Sequence, residues 1–157
     1  MATIFAASCT IAAFGVVPVG FGLMAPAGVY LAGLDFTFRA LTQEKLGRRA
    51  VVVAILLGAA LSALVSPQFA LASGVAFLFS ELADFVVYTP LRKRFWRWAI
   101  IPSNLVGAVL DSAIFLTLAF GSLEFLIGQV VGKMWVTLLA VPFFWAFRRR
   151  LIGREAA

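Results

Sequence analysis

The chain divides into six apolar stretches, at roughly 2–15, 23–41, 50–66, 68–90, 99–120 and 123–147, and that division leaves it few folds. A helix needs about 20 apolar residues at 1.5 Å each to cross a hydrocarbon core of about 30 Å. Four stretches reach that length or come close; 50–66 ends at Ser66-Pro67, and 2–15 is the shortest. The expected architecture is an all-α integral membrane protein, a single domain over 1–157. It is read as a compact bundle of six transmembrane helices.

Composition supports a bilayer environment. The chain is 63% hydrophobic and 13% charged, with a mean hydropathy of +1.04; a soluble domain is about 45–50% apolar and about 25% charged. A single cysteine, Cys9, excludes an internal disulfide and a cysteine-based metal site. The absence of histidine removes the usual zinc ligand, the usual general base and the Ser-His-Asp triad. No catalytic residue, metal or cofactor is expected. No GxxxxGK phosphate loop occurs, so the chain is not expected to use ATP itself. The opening MATIFAASCTIAA lacks a basic n-region and a clear cleavage site and is read as a retained membrane helix.

The formal charge of +6 is distributed in a way that argues against nucleic acid. Lys45, Arg48 and Arg49 form one cluster, Arg92, Lys93, Arg94 and Arg97 a second, and Arg148, Arg149, Arg150 and Arg154 a third. These follow the second, fourth and sixth apolar runs. The joints after the first, third and fifth runs contain GVVPVGFG, SPQ and GSLE, with no Lys or Arg. The positive-inside rule then places both termini in the cytoplasm. Trp96 and Trp98 beside the second cluster fit an interfacial aromatic belt. The Gly/Pro-rich connection at 15–28 shapes an outer entrance through Pro18, Gly20, Gly22 and Pro26, or is a plain external loop.

Few charges remain within the spans: Asp35, Arg39, Glu81, Asp84, Asp111 and Lys133. An Asp or Lys at a helix centre costs about 2.5–3.5 kcal/mol, so such residues face one another, water or a ligand. From the expected topology and the 1.5 Å rise, Glu81 lies about 20 Å, Asp111 about 18 Å and Lys133 about 15 Å along their helices, all near mid-bilayer. The i, i+3 and i+4 rule gives each helix a polar stripe. Phe77, Glu81, Asp84 and Tyr88 form the first; Asn104, Gly107 and Asp111, flanked by Ser103 and Ser112, the second; Gln129, Lys133 and Thr137 the third. Gly128 and Gly132 beside Lys133 have the GxxxG spacing that lets a neighbouring helix approach.

Asp35 and Arg39, at i, i+4, are expected to pair locally as a structural ion pair. Glu81, Asp84 and Asp111 then face Lys133 with a formal excess of two negatives. Either carboxylates are protonated, or water or a cationic or donor-rich ligand enters. In the bland alternative, Lys133 merely neutralises Asp111 and the other polar groups tie helices together.

Four segments carry a family resemblance: AGLDFTFR, SELADFVVYTPLR, PSNLVGAVLDS and GQVVGKMWVTLLAVP. In this order, on a chain of this polarity, they resemble the putative vitamin uptake transporter (VUT) family from about Phe14 to Pro142. The family's polar positions appear as Asp35, Arg39, Asp84, Ser103, Gly107, Asp111 and Lys133. The resemblance implies uptake of a queuosine precursor, a cyano- or aminomethyl-deazaguanine. The family's first helix is longer and carries an Asn near its end, close to where Ser8 lies in the shorter run here, and Glu81 stands where some relatives carry Gln.

A guanine-like base presents an N–H and an amino group side by side, which a carboxylate accepts, and a carbonyl that needs a donor. Glu81 or Asp84 would take the first edge, Lys133 or Gln129 the second, and Asp111 a cationic arm. Phe77, Tyr88 or Trp135 would stack on the ring, or pack only against helices and lipid. Proton-coupled uptake and facilitated diffusion are both open. So are a homo-oligomer, a purely structural membrane protein, and a capture subunit energised by a separate ATPase that docks on Ala2, Ala6, Ser8 and Ala12. The expected partners are the small deazapurine and the lipid bilayer.

Overall fold

The computed structural model of the chain describes residues 10, 13–65, 70–95 and 98–155. The expected span at 2–15, with Ser8 and Cys9, lies mostly outside the described residues, as do Ser66-Pro67 and Trp96.

Where the second apolar run was expected to begin as helix, the chain forms a β-hairpin. Strands β1 (Val16–Gly20) and β2 (Leu23–Pro26) pair antiparallel, with Val16 opposite Pro26, Val17 opposite Ala25 and Pro18 opposite Met24. The register slips by one residue between Pro18 and Gly20. Phe21 and Gly22 make the turn at φ of 55° and 73°, the left-handed conformation that a two-residue hairpin demands. Val19 and Ala25 are buried with Val29, and the Tyr30 hydroxyl donates to the carbonyl of Pro18 at 3.2 Å.

Helix α1 covers Val29–Val65 but is two limbs, because Gly47 has φ 79° and ψ −178°. That conformation is essentially restricted to glycine. The break falls inside the cluster Lys45, Arg48 and Arg49, so the limbs correspond to the second and third apolar runs. Helices α2 (Ala70–Phe95), α3 (Ile100–Phe120) and α4 (Leu126–Glu155) follow. Helix α2 passes through Pro90 and ends with Arg92, Lys93 and Arg94, cations that favour the negative end of its dipole. Helix α3 stops at Gly121, whose φ of 64° lets its N–H return to the Thr117 carbonyl at 3.1 Å. Helix α4 starts three residues later than expected from the apolar run and continues through the third basic cluster.

The helices close a ring: α1 packs on α2 and α4, and α3 packs on the same two. Leu71–Phe95, Ile100–Phe120 and Leu126–Phe143 are each long and apolar enough to cross a membrane. The first limb of α1 carries Asp35, Arg39, Glu44 and Lys45 and so does not meet that standard by composition. Six spans were expected; the described residues show these three.

Polarity is inverted relative to a soluble domain. Lys133, Gln43, Glu81, Asn104, Thr137 and Asp84 are among the largest fully buried side chains, while Phe143, Leu139 and Val86 are 78%, 72% and 65% exposed. An apolar exterior around a polar interior is the arrangement that lipid, not water, selects.

Glycines set the closeness of the ring. A Cβ on Gly128 would overlap the Met24 carbonyl, and one on Gly132 would stand 2.8 Å from Val29 Cγ2 and 3.1 Å from Val19 Cγ1. The GxxxG pair therefore seats the hairpin and the start of α1 on α4; at Gly128 the close neighbour is a strand, not the expected helix.

Candidate functional site

Arg39, on the first limb of α1, is 7% exposed and reaches α2. Its Nε donates to Asp84 Oδ2 at 2.7 Å and its second terminal nitrogen donates to the same oxygen. The other terminal nitrogen donates to Gln43 Oε1 at 3.1 Å, and Gln43 Nε2 donates to Thr89 Oγ1 at 3.0 Å. Glu81 Oε2 lies 3.1 Å from Arg39 Nε. The N–H of that nitrogen is directed at Asp84, so Glu81 Oε2 has an ion contact without a hydrogen bond. Two fully buried acids thus face one guanidinium. Arg39 forks onto a single oxygen of Asp84, so Asp84 Oδ1 has no well-formed hydrogen bond, and the Ser103 hydroxyl is the side-chain donor that faces this acid.

A second cluster centres on Lys133 of α4, which is 1% exposed. Its ammonium donates to Asp111 Oδ2 at 2.5 Å, Ser112 Oγ at 2.8 Å and Gln129 Oε1 at 3.2 Å. Three donors meet three acceptors, so Lys133 is saturated. Ser80 of α2 donates to Asp111 Oδ1 at 3.4 Å, which ties this cluster to the helix carrying Glu81.

Asn104 links the helices between the clusters. Its amide donates to Thr137 Oγ1 at 2.9 Å and Thr37 Oγ1 at 3.4 Å, and Thr137 donates to the Lys133 carbonyl at 3.2 Å. Asn104 Oδ1 is the third buried acceptor without a partner. A Cβ on Gly107 would stand 2.8 Å from Phe36 and 3.1 Å from Asp84 Cβ; this glycine brings α3 close to the acid.

Toward the basic end of α2 the interior is closed by Tyr88, which is fully buried. Its hydroxyl donates to Glu44 Oε1 at 3.0 Å, and the Arg39 guanidinium lies 5.4 Å from its ring centroid. Arg92 donates to Glu44 Oε1 at 3.1 Å and to the Gln43 carbonyl at 3.4 Å.

The structure brings together Glu81 and Asp84 in one cluster and Asp111, Lys133 and Gln129 in the other, with Asn104 between. Ser103 is buried and its hydroxyl returns to the Ile100 carbonyl at 3.3 Å. Phe77 is not in either cluster: its ring packs on Gly58, 2.7 Å from where a Cβ there would stand. Trp135 is 41% exposed and stacks on Phe21, with centroids 6.2 Å apart. Arg39 was expected to pair with Asp35 along its own helix; the structure shows its guanidinium reaching Asp84 and Glu81 across on α2. Arg92 was read as orientation charge alone, yet it joins α2 to α1.

Sequence reasoning missed Gln43, Thr89, Thr37 and Glu44. Gln43 lies one turn from Arg39, which is the signal that could have found it. Among the described residues no three His, Cys, Asp or Glu side chains are grouped to hold a metal.

Comparison with known proteins returns one family. Residues 62–147 match the family described as Putative vitamin uptake transporter, a segment that holds α2, α3 and the part of α4 carrying Gln129, Lys133 and Thr137. No curated protein and no solved structure matches the chain. The match covers more than half of the 157 residues. The chain, with its apolar spans around a polar interior, belongs to the putative vitamin uptake transporter family of membrane proteins.

Proposed function

We propose that the chain imports a queuosine precursor, a cyano- or aminomethyl-deazaguanine, across a bacterial cytoplasmic membrane through its polar interior. The basic clusters face the cytoplasm in this reading. The observation that carries it is the set of three buried acceptors without hydrogen bonds: Glu81 Oε2, Asp84 Oδ1 and Asn104 Oδ1. A buried acceptor left unmade costs about 1–3 kcal/mol, more when charged. A donor-rich ligand relieves that cost, and the ring N–H and amino group of a guanine-type base are such donors.

The saturation of Lys133 refines the roles. Its ammonium holds Asp111 and Gln129 in place and has no proton free for a substrate carbonyl. Gln129 accepts from Lys133 through Oε1, which leaves its amide N–H group for that carbonyl. Tyr88 closes the inner end through Glu44 and stacks under Arg39, a role in positioning the guanidinium.

The test is rescue of queuosine-containing tRNA in a precursor-dependent strain lacking its own importer. The wild-type chain restores the modified tRNA when either precursor is supplied, and Asp84→Asn abolishes rescue while the protein still reaches the membrane. A well-expressed chain that gives no rescue with either precursor removes the substrate assignment.

A further inference from the structure

A groove of about 720 Å³ runs on the outside of the ring, away from the polar interior, between the first limb of α1 and α4. Leu34, Phe38, Leu41 and Lys45 follow one another along α1 at the spacing of a single helix face. Ala140 and Phe143 of α4 supply the opposite wall. From Leu34 to Leu46 the groove extends about 18 Å along the helix, close to the half-thickness of a hydrocarbon core, about 15 Å. Its two hydroxyls are already engaged: Thr42 donates to the Phe38 carbonyl at 2.8 Å, and Thr37 accepts from Asn104. The slot is therefore apolar along its length and ends at the ammonium of Lys45.

That end is the cationic one. Lys45, Arg48 and Arg49 are all exposed, and among the described residues none forms an ion pair. Three uncompensated cations at the mouth of an apolar slot, at the level where the chain leaves the bilayer, have a specific chemical complement. A second copy of the chain would bring the same cations against these and meet repulsion.

We infer that this groove binds one anionic phospholipid of the cytoplasmic leaflet, with an acyl chain along Leu34, Phe38 and Leu41 and the phosphate at Lys45, Arg48 and Arg49. The site is separate from the interior and does not depend on what the interior transports. Lipid recognition by a basic mouth between membrane helices follows from the negative cytoplasmic surface, where each cation contributes about 1 kcal/mol.

Native mass spectrometry of the purified full chain with phosphatidylglycerol or phosphatidylcholine of matched acyl chains tests the assignment. The wild-type chain retains one phosphatidylglycerol in preference to phosphatidylcholine, and Lys45→Gln reduces that preference about fivefold, which corresponds to about 1 kcal/mol. Ala140→Phe fills the slot and abolishes retention of both lipids. Phe143→Ala, on a wall that is 78% exposed, weakens retention without touching the packed interior and carries the test should Ala140→Phe unfold. Inorganic phosphate does not displace the lipid, because it lacks the chain that the slot holds. Equal retention of both lipids by the wild type overturns the inference, as does retention unchanged by Phe143→Ala. Displacement by phosphate, or a dimer that Phe143→Ala dissociates, overturns it equally.

Discussion

The sharing of Arg39 between two acids predicts that Glu81 and Asp84 are unequal in stability and equal in function. Asp84 receives both hydrogen bonds that Arg39 sends to α2 and is fully buried. Asp84→Asn halves a buried ion pair, and breaking such a pair costs about 3–5 kcal/mol because a buried charge is stranded. Glu81 can take over part of the guanidinium from 3.1 Å, so the lower end of that range is expected. Glu81→Gln removes an oxygen that accepts no hydrogen bond and an acid in excess of the cations around it. Its expected effect on stability is within about 1 kcal/mol of zero, the range for removing a group with no net favourable bond. Arg39→Gln strands both acids and is expected to be the most damaging of the three.

Equilibrium unfolding in mixed micelles, read by tryptophan fluorescence, ranks the variants as Arg39→Gln, then Asp84→Asn, then Glu81→Gln. Uptake by the same proteins in vesicles separates stability from function, because in the proposed reading each acid is an acceptor for the substrate. The reasoning is refuted if Glu81→Gln destabilises as much as Asp84→Asn, since the surplus acid would then be a structural partner. Glu81→Gln with wild-type uptake would remove Glu81 from the binding site.

Lys133→Ala leaves Asp111 unpaired among α2, α3 and α4, and is expected to lower stability by about 3–5 kcal/mol and abolish uptake; adding Asp111→Asn in the same unfolding assay should recover much of the stability and none of the uptake. Gly128→Val drives a side chain into the Met24 backbone, which cannot rotate aside, so the loss should reach or exceed the about 1–3 kcal/mol of ordinary overpacking; hydrogen exchange should rise first in residues 16–26. Gly47→Ala forces a side chain into a conformation that costs about 1–3 kcal/mol, and a lower unfolding midpoint with unchanged uptake checks that the break is a hinge of the fold and not part of the site.

Charge in an apolar run was the most legible signal. Glu81, Asp84, Asp111 and Lys133 stood out because burying them in lipid is expensive, and the structure buries them or pairs them as that expense requires. Their partners were less legible. Spacing along one helix points Arg39 to Asp35, while its partner Asp84 is 45 residues away and visible only once helices are packed. Uncharged Gln43, Thr37 and Thr89 carried too small a penalty to be noticed, although they complete the network. Phe77 shows the limit of a helical stripe: it shares a face with Glu81 by spacing, yet the absence of a side chain at Gly58 draws its ring to the second limb of α1. The hairpin was hidden because Leu23, Met24 and Ala25 are as apolar as the helix they precede, and hydropathy does not distinguish strand from helix over so short a run.

That hairpin also carries an answer to a problem all small sheets face. The Ala27 N–H donates to the Gly15 carbonyl at 2.8 Å, so the ladder's alternation makes Val17/Ala25 a hydrogen-bonded pair and Val16/Pro26 and Pro18/Met24 non-bonded ones. At non-bonded positions the backbone points away from the partner strand, toward whatever lies beyond the edge. Each strand has a proline there, Pro26 on one and Pro18 on the other, and proline has no N–H to expose. A free edge donor would be insoluble in oil and an invitation to a strand from another molecule. Pro18 and Pro26 thus remove the N–H at two of the four outward-facing positions, one on each strand. Tyr30 caps the Pro18 carbonyl and the Met24 carbonyl lies against Gly128, so each edge offers a shortened template to a third strand.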